Sequence, residues 1–324
     1  MPEAMSGREE PDDQDPSKYP GPAFVAGAAT SGELERLATA LEETGDYRVL
    51  RRMPLRDRFN AADGSQTSVG IVLDVETTGL DAERDEIIEL AMVAFEFARD
   101  GRIFGILDVL EQLREPSIPI PAEITRLTGT DATMVADRMI DPDAVTRFAG
   151  AAAVVIAHNA GFDRRFVERS FPTFSTKAWA CSVTQVDWKI EGYDGSKLGY
   201  LLAGCGLFHD GHRASEDCRA LLEILSRPLP MTGELALKRL LDTARRPTFR
   251  IWAENAPFEA KDRLKARGYR WNGGEDGRMR AWWTDVAAAE LDGEQTFLRS
   301  EIYQYDADVP VRRITAFDRF SDRV

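Results

Sequence analysis

Three short clusters of polar residues each follow an apolar run, a placement that suits chemistry better than solvation. The first is Asp74-Val75-Glu76, preceded by Ile71, Val72 and Leu73. Alternate residues of a strand face one side, so both carboxylates project together. Two like charges this close repel unless a cation or a proton intervenes. An acidic strand end on a bare surface has the same spacing. Thr77-Thr78-Gly79 adds hydroxyls, backbone N–H groups and a glycine that permits close approach of a ligand, although a ligand-free turn uses the same residues. The second cluster, His158-Asn159-Ala160-Gly161-Phe162-Asp163, follows Val154 to Ala157. There Asp163 opens a helix, where it also has the character of an N-cap. The third, His212-Arg213-Ala214-Ser215-Glu216-Asp217, puts Asp217 on a helix whose Ala220, Leu221, Leu222 and Leu225 form the buried face. A carboxylate beside such a stripe calls for a cation partner. Hard oxygen donors of this kind suit Mg²⁺ or Mn²⁺, and a histidine of near-neutral pKa suits proton abstraction from water. His212 is preferred to His209, which lies in a loop beside Gly211.

In this order DVE, HNAGFD and HRASED resemble the DEDD superfamily of 3′–5′ exonucleases in its histidine-bearing DEDDh branch, over about residues 68 to 228. Within that branch they look most like the proofreading epsilon subunits of bacterial DNA polymerase III. The resemblance implies a ribonuclease H-like fold and a two-metal mechanism. It makes Asp74, Glu76, Asp163 and Asp217 the ligands of two Mg²⁺ or Mn²⁺ ions and His212 the general base. It also gives Thr77, Thr78, Gly79, His158 and Asn159 to substrate binding, with backbone N–H groups near Thr77 and Thr78 reading the terminal 3′-hydroxyl.

The elements that must carry these clusters form an α/β pattern. Strands are expected at Ser68–Val75, Ile87–Phe97 and Ile103–Leu110, antiparallel because their connections are short. Helical patterns follow at Ala122–Leu127 and Asp141–Phe148, then a strand at Ala152–Ala157 and helices near Asp163–Arg169, Ser196–Cys205 and Ala214–Leu225. The whole is a mixed sheet flanked by helices. Upstream, residues 1–22 hold five prolines and six acidic residues and are expected to be disordered. Residues 23–66 form an extension with an amphipathic helix from Ser31 to near Gly45 and a strand at Tyr47–Met53. The exonuclease-like domain spans 67–247, and Arg245-Arg246-Pro247 marks its end.

Residues 248–324 form a smaller α+β module in β-α-β-β-α-β order, compatible with a ferredoxin-like arrangement. Seven basic residues between Lys261 and Arg280 stand against three acidic ones, with Tyr269, Trp271, Trp282 and Trp283 among or just after them. Basic side chains track phosphates and aromatic faces stack on unpaired bases, so Lys261, Lys265, Arg267, Arg270, Trp271 and Arg280 are candidate nucleic-acid contacts. A solvated helix over a tryptophan core has the same composition.

The 324-residue chain carries 41 basic and 55 acidic residues, a net charge of −14, which excludes a general nucleic-acid coat unless metal ions or a local basic groove intervene. Its apolar runs are shorter than the ~20 residues of a membrane span, and Cys181, Cys205 and Cys218 form no CxxC pair, so a cytoplasmic protein without zinc or disulfides is expected. The favoured reading is a stand-alone, metal-dependent exonuclease acting on DNA 3′ ends, single-stranded or frayed. Its rivals are a proofreading subunit bound to a DNA polymerase and an exoribonuclease.

Overall fold

The computed structural model describes residues 30–211, 213–274, 277 and 279–324. The expected acidic tail, His212 and Arg278 lie outside them. The chain divides into units Met1–Val49 and Leu50–Val324. In the first, helix α1 (Ser31–Glu43) begins at the expected Ser31, and Thr30 is its N-cap, where the Glu33 carboxylate accepts the Thr30 N–H at 2.8 Å.

In the second unit the strand expected at Tyr47–Met53 shrinks to β1 (Arg51–Arg52). The five-stranded sheet then begins with β2 (Thr67–Thr77), β3 (Ile87–Ala98) and β4 (Ile103–Leu113), antiparallel neighbours as their short connections require. Strand β3 is buried along nearly its whole length, as befits an almost unbroken apolar run covered on both faces. Helices α2 (Ala122–Thr128), α3 (Ala132–Val135) and α4 (Pro142–Gly150) lead to β5 (Val154–Ala157), which pairs parallel with β2. Helix α5 (Ala160–Ser170) begins three residues before Asp163, which therefore lies inside the first turn; Asn159 occupies the cap position.

Among the elements that sequence patterning does not reveal are the strand and the helix that complete this part of the fold. Strand β6 (Trp179–Cys181) is three residues long and closes the sheet in the order β4-β3-β2-β5-β6. After α6 (Ser182–Gln185), α7 (Leu198–Gly204), β7 (Leu207–Phe208) and α8 (Ala214–Leu225), helix α9 (Ala236–Arg245) buries Leu237, Leu240 and Leu241. Strands β1 and β7 pair parallel in a small sheet of their own. Helices α8 and α9 cover the sheet face that presents Val72, Ala91 and Val93. Phe166, Val167 and Trp179 pack on the opposite face, which presents Ile71, Leu73 and Val75. Asp74 and Glu76 alternate in phase with Val72, so they face the side that α8 covers. This is a ribonuclease H-like sheet.

The C-terminal module runs β8 (Thr248–Ala253), α10 (Lys261–Ala266), β9 (Arg270–Trp271), β10 (Trp282–Ala287), α11 (Leu291–Phe297) and β11 (Val311–Ile314). Its sheet order is β11-β8-β10-β9 with every neighbour antiparallel, the ferredoxin-like arrangement expected of that chain order. A separate core of Ile251, Leu264, Tyr269 and Leu298 fills it.

Beyond β11 the chain returns to the larger sheet. The Trp179 N–H donates to the carbonyl of Ala316 at 2.8 Å. The fully buried Arg164 gives its guanidinium to the carbonyls of Phe317 at 2.7 Å and Arg319 at 2.6 Å, and its Cζ lies 5.4 Å from the Trp179 ring centroid. Arg323 adds an ion pair to Glu168 at 2.6 Å. The last ten residues thus strap helix α5, the helix that carries Asp163.

Candidate active site

Strand β2 delivers Asp74 and Glu76 side by side, and α8 lays Asp217 over them because its apolar stripe must face the sheet. One ligand oxygen from each of the three lies within 4.8 Å of the others. Asp163 is buried beside them, and one of its oxygens accepts the N–H of Val75 at 3.3 Å. Loss of hydration pushes Asp74, Glu76 and Asp163 toward the protonated form. Asp74 is driven well above the ordinary carboxylate range by burial and then by the charges of Asp163, Asp217 and Glu76. Burial and the Asp217 charge push Glu76 up to about 8, and burial raises Asp163 to about 7. Crowded oxygens that cannot all ionise alone are an arrangement a divalent cation relieves.

One participant comes from register across the β2–β3 hairpin. Glu89 stands directly opposite Glu76, is wholly buried, and finds no hydrogen-bond partner for either oxygen among the described residues. Burial raises its pKa, and the Arg213 guanidinium, 3.5 Å away, opposes that rise. Arg213 reaches Glu111 of β4 at 3.4 Å as well, tying the start of α8 to two strands. No local pattern signals this, because Glu89 sits in an apolar run thirteen residues from Glu76.

The histidines separate. His212, expected as the general base, lies outside the described residues. His209, set aside on sequence grounds, places Nε2 2.5 Å from an Asp217 oxygen. His158 puts Nδ1 2.7 Å from Ser182 Oγ, while its Nε2 is buried and unpartnered among the described residues, and burial lowers its pKa.

A cleft of about 940 Å³ opens onto Asp74, His158, Asn159, His209 and Asp217. Its far wall is α7, with Lys197 and the exposed Tyr200, two residues the motifs do not mark. The Thr77-Thr78-Gly79 segment is used differently from the expectation. The Thr78 N–H donates to the Glu86 carbonyl at 2.9 Å, and its hydroxyl donates to Asp85 at 3.2 Å. Thr77 Oγ1 donates to the carbonyl of Gly79. At Gly79 the space a Cβ would take is filled by the Asp85 carboxylate, 2.5 Å from that position, so the glycine serves the turn's own packing.

Among the candidate C-terminal contacts, Arg267 is committed to Glu294 at 2.9 Å and to the Phe297 ring at 4.1 Å. Arg270 sits opposite Trp283, on the other sheet face from Trp271 and Trp282. Lys261, Lys265, Trp271 and Arg280 remain together.

The profile of the family described as RNase_T, Exonuclease, matches residues 71–225, the sheet and helices that build the site. The chain is 32% identical over 175 residues to DNA polymerase III PolC-type from Caldanaerobacter subterraneus subsp. tengcongensis, covering 52% of this chain and 12% of that protein. It is 37% identical over 103 residues to the PolC-type polymerase of Bacillus subtilis, covering 31% of this chain and 7% of the relative. The chain therefore spans only a small part of the length of these relatives. Among solved structures, Exonuclease X in complex with 5′ overhanging duplex DNA is similar at 25% identity and a TM-score of 0.38, over 52% of this chain and 98% of that one. The carboxylates that converge as a metal-dependent nuclease requires thus lie within residues 71–225, the part of the chain that matches the RNase_T exonuclease family.

Proposed function

We propose that the protein is a metal-dependent exonuclease that removes nucleotides from the 3′ end of DNA, on single-stranded or frayed termini. The observation that carries this reading is the meeting of Asp74, Glu76 and Asp217 oxygens within 4.8 Å, with Asp74 and Asp217 lining a 940 Å³ cleft and Asp163 buried beside them. The donors are carboxylate oxygens, which favour Mg²⁺ or Mn²⁺ over softer metals. Bound divalent ions supply charge neutralisation at the phosphate and make the attacking water acidic.

The chain's own residues do the rest. Asp74, Glu76 and Asp217 hold the charge, and the Val75 N–H fixes the Asp163 carboxylate that backs them. A histidine of the Phe208-to-Arg213 segment takes the proton of the attacking water, with His212 assigned that role and His209 orienting Asp217 through its 2.5 Å contact. Water oxygen bonds to phosphorus, the 3′-oxygen of the penultimate nucleotide departs and is protonated, and a 5′-mononucleotide leaves. His158, Asn159, Lys197 and Tyr200 line the path of the strand. Asp74→Asn and Asp217→Asn should each abolish Mg²⁺-dependent hydrolysis and weaken Mn²⁺ binding in calorimetry while keeping a cooperative melt. Near-wild-type turnover of either at saturating metal would refute the assignment.

The polymerase relatives favour a second reading, a proofreading exonuclease that works beside a DNA polymerase. Co-elution with a polymerase core on gel filtration supports it, and separate elution favours a stand-alone enzyme.

A further inference from the structure

The C-terminal module carries a row of neighbouring rings and cations. Phe258, 75% exposed, has the Lys261 ammonium 4.2 Å from its ring centroid. Lys265 follows four residues later on the same side of α10. Its Nζ lies 5.9 Å from the Trp282 ring, which stands 5.5 Å from the Trp271 ring, and Arg280 lies 5.9 Å beyond over Trp271. Trp271 is 50% exposed although it sits on an edge strand beside an apolar core. Trp282 and Trp271 share a sheet face because they are direct cross-strand partners, so the row passes from helix to sheet.

Two features distinguish this row from an ordinary solvated helix. Lys261, Lys265 and Arg280 form no ion pair with another described residue, whereas Arg263 and Arg267 on the other sides of α10 are paired with Glu301 and Glu294. In a chain of net charge −14, three such cations stand here beside the exposed rings of Phe258 and Trp271 and the half-buried ring of Trp282. Rings that stack bases and cations that track phosphates are the recognition chemistry of unpaired nucleic acid; a duplex hides its base faces and offers such rings nothing.

We infer that Phe258, Lys261, Lys265, Trp271, Trp282 and Arg280 form a second, sequence-tolerant binding site for single-stranded nucleic acid, distinct from the carboxylate cleft. It rests on the reading of the chain as an exonuclease and gives that enzyme a hold on the strand away from the reacting end. The test is fluorescence anisotropy of the full-length protein with labelled dT20, U20 and a 20-base-pair duplex, in EDTA so that nothing is cleaved, from ~50 to 200 mM salt. Lys261→Glu/Lys265→Glu should weaken dT20 binding at least tenfold and flatten its log–log salt slope by about 1.4, at ~0.7 for each phosphate that is no longer neutralised. Trp271→Ala should weaken it roughly tenfold with the slope kept, and Arg263→Ala should match wild type. U20 binding on a par with dT20 supports sequence- and sugar-tolerant stacking. Wild-type affinity for dT20 in either the charge-reversed or the Trp271 variant overturns the inference, as does equal loss for duplex and single strand. Cleavage of a trinucleotide with Mg²⁺ separates the two claims: it should be unchanged in these variants, and its absence in wild type would count against the carboxylate site rather than the row.

Discussion

At the scale of single residues, the site is a set of carboxylates held closer than their charges allow. Raised carboxylate pKa values mean that the folded metal-free protein holds protons the unfolded chain releases. The stability they contribute is fully present below the unfolded values near 4 and is lost as pH rises through about 7 at Asp163 and about 8 at Glu76. Metal must displace those protons, so Mn²⁺ affinity should climb between pH 6 and 8.5, and the thermal shift produced by Mn²⁺ should climb with it. A thermal shift that stays flat across this range would contradict the assignment. The two histidines make a second contrast. His212→Ala should lower turnover roughly 10²- to 10⁴-fold at neutral pH, with partial rescue at high pH where hydroxide replaces the base. His209→Ala should instead raise the Mg²⁺ concentration needed for half-maximal activity, because its partner is Asp217, and should leave turnover at saturating metal within a few-fold. The reverse pattern in steady-state kinetics would exchange their roles. Asp74, Glu76, Asp163 and Asp217 are legible in sequence because each sits at the end of an apolar run or beside an apolar stripe. Glu89 is not, because only strand register brings it opposite Glu76.

At the scale of elements, the strap beyond β11 gives the C-terminal segment a role that chain order conceals. Arg164 is adjacent to Asp163 and donates to two carbonyls of that segment, at 2.6 and 2.7 Å. Arg164→Met would take its donors from both carbonyls: that of Phe317 keeps the Arg323 guanidinium at 3.0 Å, while that of Arg319 loses the donor it has, at about 1–3 kcal/mol. The midpoint of thermal unfolding should fall by several degrees and the Mg²⁺ requirement should rise, as α5 loses its anchor. Arg165→Gln removes an exposed ion pair with Asp322 and should change neither quantity measurably. Equal effects in the two variants, read by calorimetry and metal titration, would show that the strap does not position the helix. The longer elements are readable from periodicity: β2, β3, β4 and α8 lie within three residues of their expected ends. Strand β6 escapes because three residues cannot establish an alternation, and its pairing is supplied by β5 and its cover by Arg164. The adjacent Trp282 and Trp283 are resolved by the pleat: one joins Trp271, the other lies under Arg250 at 4.0 Å.

At the scale of the molecule, the proposed function has a strongly acidic chain meet a polyanion through two local exceptions, a cleft whose carboxylates call for cations and a cationic, aromatic row on the C-terminal module. Deleting residues 248–324 as a unit would confound the two, because it removes the strap from α5 together with the row; point variants separate them. The central claim is directional hydrolysis at the carboxylate cluster. It is tested most directly by incubating the wild-type protein with one single-stranded DNA oligonucleotide labelled at the 5′ end or the 3′ end, with Mg²⁺ and with EDTA, and resolving the products on a denaturing gel. The account predicts a ladder shortening step by step from the 5′-labelled strand, immediate release of labelled mononucleotide from the 3′-labelled strand, and no products in EDTA or with Asp74→Asn. Release of mononucleotide first from the 5′ end, internal cuts, or undiminished cleavage in EDTA would contradict it.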